Sequence, residues 1–97
     1  MLADHKIIQQ HIETGHADEA IRLADAILPQ CSDDATLHYL KGRAYMKKGD
    51  WQQAINCFLR SEENDPHGPA AQTREMLSDI MAFYNKDMFN QLAHRYG

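Results

Sequence analysis

A chain of 97 residues and 11.1 kDa, with 43% hydrophobic and 25% charged residues, has the length of one domain with a modest core. Its formal charge of −4 and pI of about 5.8 argue against a general binder of nucleic acid or of anionic membrane. No run approaches the roughly 20 apolar residues that cross a bilayer. Residues 1–10 lack the basic start and unbroken apolar run of a signal peptide, so a cytoplasmic protein is expected.

Strand signals are nearly absent, and helical spacing takes their place. Leu2, Ala3, Ile7, Ile8 and Ile12 form a one-sided stripe that Gly15 interrupts. Ala17, Ala20, Ile21, Leu23, Ala24, Ile27 and Leu28 form a second stripe, closed by Pro29, which lacks an amide donor. Ser32 and Asp33 are N-cap candidates for a third helix running to about Lys48. Its apolar side holds Leu37, Leu40, Ala44, Tyr45 and Met46, and Gly49 ends it. Asp50 with Gln53 reads as a capping box that opens a fourth helix, whose buried face is predicted to be Trp51, Ala54, Ile55, Phe58 and Leu59. Asp65-Pro66 stops that helix. A fifth is predicted from about Pro69 to Tyr84, packed through Met76, Leu77, Ile80, Met81 and Phe83. Beyond it Met88, Phe89 and Leu92 have the spacing of a short terminal helix.

The breaks at Gly15 and Gly49 lie 49 − 15 = 34 residues apart, and at the same offset Ala20 matches Ala54 and Ile21 matches Ile55. Paired helices at this period are the mark of tetratricopeptide repeats, and residues 35–68 resemble that family. Gly42 and Tyr45 occupy its Gly and Tyr positions in the first helix of the pair. Gly49 falls in the turn, Trp51 at the aromatic after it, Ala54 at the small residue of the second helix, and Phe58 and Pro66 complete the pattern. Departures are His38 at the usual Trp, Lys41 at the Leu and Ser61 at the second small position; in residues 1–34, Ile8 and His11 replace Gly and Tyr. The segment 83–91 looks like the tail of small bacterial proteins of this architecture.

The resemblance implies an all-α fold, with antiparallel helical hairpins stacked as a short right-handed solenoid. It divides a single domain, 1–97, into a degenerate first repeat (1–34), a second repeat (35–68) and a capping helix with tail (69–97). It also implies a protein-interaction scaffold or adaptor whose concave groove faces a peptide or protein segment. The groove residues expected by resemblance are His5, Gln9 and Ile12, then Thr36, Tyr39, Arg43, Met46 and Lys47, then Thr73, Arg74 and Leu77. Tyr39, Arg43 and Lys47 are four apart along one helical face, an arrangement suited to an acidic or carboxylate-ended segment. The bland reading of the cations Lys41, Arg43, Lys47 and Lys48 is a solvated face that favours the helix C-terminus. The carboxylate clamp of some family members maps to His5, Gln9, Leu40, Ala70 and Arg74, of which only Arg74 fits outright, so that clamp is not expected.

Catalytic, metal and cofactor chemistry find no support. No histidine pair has a helical ligand spacing, Cys31 and Cys57 are expected to be reduced thiols, and Glu62, Glu63 and Asp65 read as a solvated helix end. The alternative to groove binding is self-association or assembly through an apolar C-terminal edge of Met81, Tyr84, Met88, Phe89 and Leu92, which otherwise folds back on the core. The chain is thus expected to be a monomer or weak homodimer with a protein partner, without nucleic acid or membrane.

Overall fold

Five α-helices succeed one another: α1 (Leu2–Glu13), α2 (Ala17–Ile27), α3 (Ala35–Lys48), α4 (Trp51–Asn64) and α5 (Ala70–Tyr84). The computed structural model describes residues 2–84, with side chains from Asp4 to Phe83; the predicted terminal helix around Met88, Phe89 and Leu92 lies outside the described residues. Among them there is no strand, and the only further helical element is a 3-10 turn, Leu28–Gln30, built on Pro29. The fold is all-α.

The 34-residue period is visible in individual hydrogen bonds. At the end of α1, Gly15 N–H donates to Ile12 O and His16 N–H to His11 O; at the end of α3, Gly49 N–H donates to Met46 O and Asp50 N–H to Tyr45 O. Both are Schellman ends, and both glycines adopt φ near +80° (Gly15 85°, Gly49 78°), where a Cβ would be strained. The next helix then opens identically, Ala20 N–H to His16 O and Ala54 N–H to Asp50 O, each at 3.1 Å.

The helix starts differ from expectation at two points. Asp34, rather than Ser32 or Asp33, caps α3: its side chain accepts from Leu37 N–H at 3.1 Å. The helix begins at Ala35, and only the residue directly before it can reach the third helical amide. Ser32 contributes its carbonyl instead, accepting from His38 Nε2 at 2.8 Å. At α4, Asp50 accepts from Gln53 N–H as predicted. The amide of Asp50 is taken by Tyr45 O, so the Schellman bond stands where the second half of a capping box would be.

Two apolar clusters hold the helices. The first joins Ile8 and Ile12 of α1, four residues of α2 (Ala17, Ala20, Ile21, Ala24) and Leu37, Leu40 and Ala44 of α3. The second joins Ala54 and Phe58 of α4 to Ala70 and Leu77 of α5, with Tyr39, Tyr45 and Met46 of α3 against them. Gly42 lets α3 and α4 close: a Cβ there would lie 2.5 Å from the Phe58 ring. The departures from the family pattern are accommodated by polar partners. His38 is buried on its bond to Ser32, and Ser61 is buried with Oγ donating to Ala35 O at 2.7 Å.

Several residues predicted to be buried are exposed, namely Ile7, Trp51, Leu59, Met76, Ile80 and Phe83. Ile7 and Leu59 each adjoin a buried residue, Ile8 and Phe58, and 100° of helical rotation carries them off the buried arc. Trp51 is the first residue of α4, at the end of the hairpin. The α5 residues follow from a roll of that helix. At the 34-residue offset, Ala71, Arg74 and Ser78 of α5 match Leu37, Leu40 and Ala44, which bury α3 on the first hairpin. Small and charged side chains offer little to bury, and α5 instead turns Ala70 and Leu77 onto α4, leaving Met76 and Ile80 outside.

Candidate functional site

A cleft of about 330 Å³ opens between α1, the face of α3 that carries Tyr39 and Arg43, and the segment after α4. His5, Gln9, Tyr39 and Arg43 line it together, with Thr36 and Leu40 beside them and Ser61, Asp65 and Pro69 forming the other wall. Of the expected groove residues these are the ones brought together. Lys47 is not among them: it lies one turn along α3, in a separate recess with Gly15, His16, Asp18 and Lys48. Arg74 is engaged elsewhere, its Nε and Nη2 donating to Glu62 Oε2 and Oε1 at 2.8 and 3.2 Å. Ile12 and Leu77 are core residues and not groove residues, because the faces that carry them are covered by neighbouring helices. Met46 is half-buried against the second cluster, and Thr73 Oγ1 donates back to the carbonyl of Pro69, the residue before α5. At the clamp positions, Leu40 and Ala70 are buried.

Asp34 organises the α1 wall. One oxygen caps α3 and the other meets His5 Nε2 at 2.9 Å, so a single carboxylate ties α1 to the start of α3 and orients the imidazole at the cleft. Ser61, bonded to Ala35 O, ties α4 to the same helix start. The reading of the sequence did not anticipate Asp34, Ser61 or Asp65 at this site. Asp34 and Asp65 stand at helix boundaries and Ser61 at a repeat position, so each has a local role that hides the tertiary one. Tyr39 leans on Phe58, ring centroids 5.7 Å apart at 43°, which fixes the phenol ring above the second cluster.

The described lysines and arginines divide into paired and unpaired. Lys41 pairs with Asp25 at 2.6 Å, Lys48 with Asp18 at 2.5 Å, Arg22 with Glu19 and Arg74 with Glu62. Arg43 and Lys47, like Lys6 and Arg60, take part in no ion pair among the described residues, and of these four Arg43 and Lys47 lie one turn apart on α3. The Arg74 hydrogen bond holds the Glu62 carboxyl below its ordinary range. For Lys41, burial alone would lower the pKa, but the hydrogen bond and charge of Asp25 override it and raise it. The Cys57 thiol is pushed up by burial, the setting of a core residue and not of a nucleophile.

A wider, polar recess of about 850 Å³ lies on the other side of α3, where Lys41 and His38 meet α2 and α4. Its cations and acids include the Lys41–Asp25 pair. Among the described residues no group of three His, Cys, Asp or Glu side chains converges as metal ligands would, and no helix is long and apolar enough to cross a membrane.

A family model described as tetratricopeptide repeat matches residues 35–67. The chain is similar to the protein in the solution NMR structure of Bacteroides fragilis protein BF1650, with 41% sequence identity and a TM-score of 0.80 over 93% of this chain and 92% of that one. No curated protein matches it.

Proposed function

The chain belongs to the tetratricopeptide repeat family, a family of non-enzymatic repeats that mediate protein–protein interaction, and from that premise we propose that it binds an acidic protein segment along α3. The observation that carries this reading is that Arg43 lines the cleft without an ion-pair partner, with the equally unpaired Lys47 one turn along the same helix. In the cleft, Arg43 stands with Tyr39, His5 and Gln9, a planar cation and three hydrogen-bonding side chains around a space that accepts one or two ligand side chains. Lys47, one turn on, receives a second carboxylate of the same segment. Arg74 contributes only where a ligand displaces Glu62, so the reading rests on Arg43.

The test is a titration of isotope-labelled protein with two soluble peptides, one carrying Asp and Glu around an apolar anchor, the other with Lys in their place. Amide shifts confined to α1 and α3 around Gln9, Tyr39 and Arg43 are expected with the acidic peptide. A charge-assisted bond contributes about 1.5–3 kcal/mol, so Arg43→Glu should weaken binding by at least about tenfold. Equal affinity for the two peptides, or an Arg43→Glu variant that binds like the parent, would retire the acidic-segment reading.

A further inference from the structure

The sequence ends α4 at Asn64 and places Asp65-Pro66 directly after it. Pro66 has no amide to donate, and the main chain of Asp65 makes the bonds of the stop. Its N–H donates to Ser61 O at 2.8 Å, and its carbonyl accepts from Gly68 N–H at 3.1 Å. The side chain takes no part in either bond. It lies over Gly68, where a Cβ would stand 2.8 Å from Oδ2 and 3.2 Å from Cγ. The carboxylate thus fills the space that glycine leaves beside Pro69 of the cleft wall. Among the described residues no ion pair and no side-chain hydrogen bond engages it. The last turn of α4 holds no basic residue, and a carboxylate at the negative end of a helix dipole is unfavourable. The charge of Asp65 therefore does not serve the helix stop.

The cleft consequently carries an uncompensated charge on each wall. Arg43 of α3 is the cation and Asp65 the anion, and the two do not pair with one another. His5, the other ionisable group on the α1 wall, is already held by Asp34. A segment that brings only carboxylates gains at Arg43 and meets like charge at Asp65. A segment that sets an ammonium or guanidinium against Asp65, while its carboxylate meets Arg43, satisfies both walls. The volume of about 330 Å³ has room for two such side chains. In an extended chain, residues two apart project to the same side, so the matching pattern is an acidic and a basic residue separated by one.

We propose that Asp65 sets the specificity of the cleft, so that the bound segment carries a basic side chain next to the carboxylate that Arg43 receives. The proposal rests on the acidic-segment reading and narrows it to a mixed-charge segment. The full-length protein is titrated with three end-blocked peptides that differ only in their central residues: Glu-Leu-Lys, the reverse order Lys-Leu-Glu, and Glu-Leu-Glu. Salt is kept at about 0.15 M, where the net charge of the protein is largely screened. The better of the two mixed peptides should bind at least about threefold more tightly than Glu-Leu-Glu, the size expected for a partly exposed pair. In Asp65→Asn that ratio should fall towards one, and in Asp65→Lys it should invert. A folding defect would weaken all three peptides alike and leave the ratio in place, so the ratio reports on the charge itself. A parent that binds mixed and acidic peptides equally, or a ratio that survives Asp65→Asn, would overturn the proposal. Arg43→Gln separates the two levels. If it weakens Glu-Leu-Glu while the Asp65 variants leave the ratio unmoved, the acidic-segment reading stands and the role of Asp65 falls. If it changes nothing, or if no peptide binds the parent, both fall together.

Discussion

A methyl group on residue 42 would stand 2.5 Å from the Phe58 ring, inside any normal carbon–carbon contact, and that ring is fully enclosed. Ala is about 1 kcal/mol better than Gly in a helix interior, whereas overpacking a tight core costs about 1–3 kcal/mol. The steric cost should win, so Gly42→Ala is expected to lower stability by a net ~1 kcal/mol, seen as a lower urea midpoint with an unchanged slope. A midpoint equal to the parent's would mean that α3 and α4 have slack where the structure shows none. At Cys57 the prediction concerns reactivity. Burial raises its pKa and shields its sulfur, so a thiol reagent at pH 8 should modify Cys31, which is only half-buried, well before Cys57, the two becoming equivalent in denaturant. Comparable native rates would contradict the placement of Cys57 in the interior.

The two Schellman turns make a comparison between elements possible, because they differ in one respect. Asp50 caps α4 with its side chain, whereas His16, in the same place before α2, makes no such bond and spends Nδ1 on Thr14 Oγ1. His16→Asp should supply the missing cap and stabilise the protein by about 0.5–1 kcal/mol, less the lost Thr14 contact. For a chain of this size that is a rise in melting temperature of a few degrees, about 4–8 °C per kcal/mol. No rise would show that the first turn is not limited by its cap. How well elements could be read from the sequence follows the same line. Helix ends announced by Gly15, Gly49, Asp50 and Pro29 were legible because the backbone itself demands those residue types. Which of two adjacent apolar residues turns inward was not, since Ile7 or Ile8, and Phe58 or Leu59, differ only by the roll of a helix on its neighbour. The roll of α5 escaped for the same reason. Of the cleft, Tyr39 and Arg43 were legible from their repeat positions. Asp34, Ser61 and Asp65 were not, because their long-range contacts have no local signature.

At the scale of the whole molecule, ion pairs knit hairpin to hairpin: Lys48 to Asp18 and Lys41 to Asp25 join α3 to α2, and Arg74 to Glu62 joins α5 to α4. Glu62 and Glu19 titrate below their ordinary value of 4.5, each because of a hydrogen bond from arginine. A depressed carboxyl adds stability above its unfolded pKa and loses it as pH falls through the folded value. The urea midpoint should therefore hold from pH 7 to about 5 and decline below about 4.5. In Arg74→Gln part of that decline should disappear, because the parent alone has the contribution to lose. Lys41 has the opposite sign. Its raised pKa contributes fully below 10.5 and is lost only in strong alkali. An acid decline of equal size in parent and Arg74→Gln would mean that the Arg74–Glu62 bridge is not maintained in solution.

The identical bonding of the ends of α1 and α3 also bears on how this chain could grow. Since α3 closes with the same turn as α1, and α5 rests chiefly on α4, a duplicate of residues 35–68 placed ahead of Pro69 would meet α4 on one side and present its own last helix to α5 on the other. Each added unit would then contribute its own stability plus one junction term, as in a one-dimensional lattice of neighbours. The length of the assembly becomes a variable that can be set by copying, with Tyr39 and Arg43 repeated at every step while His5 and Gln9 of α1 stay at the first.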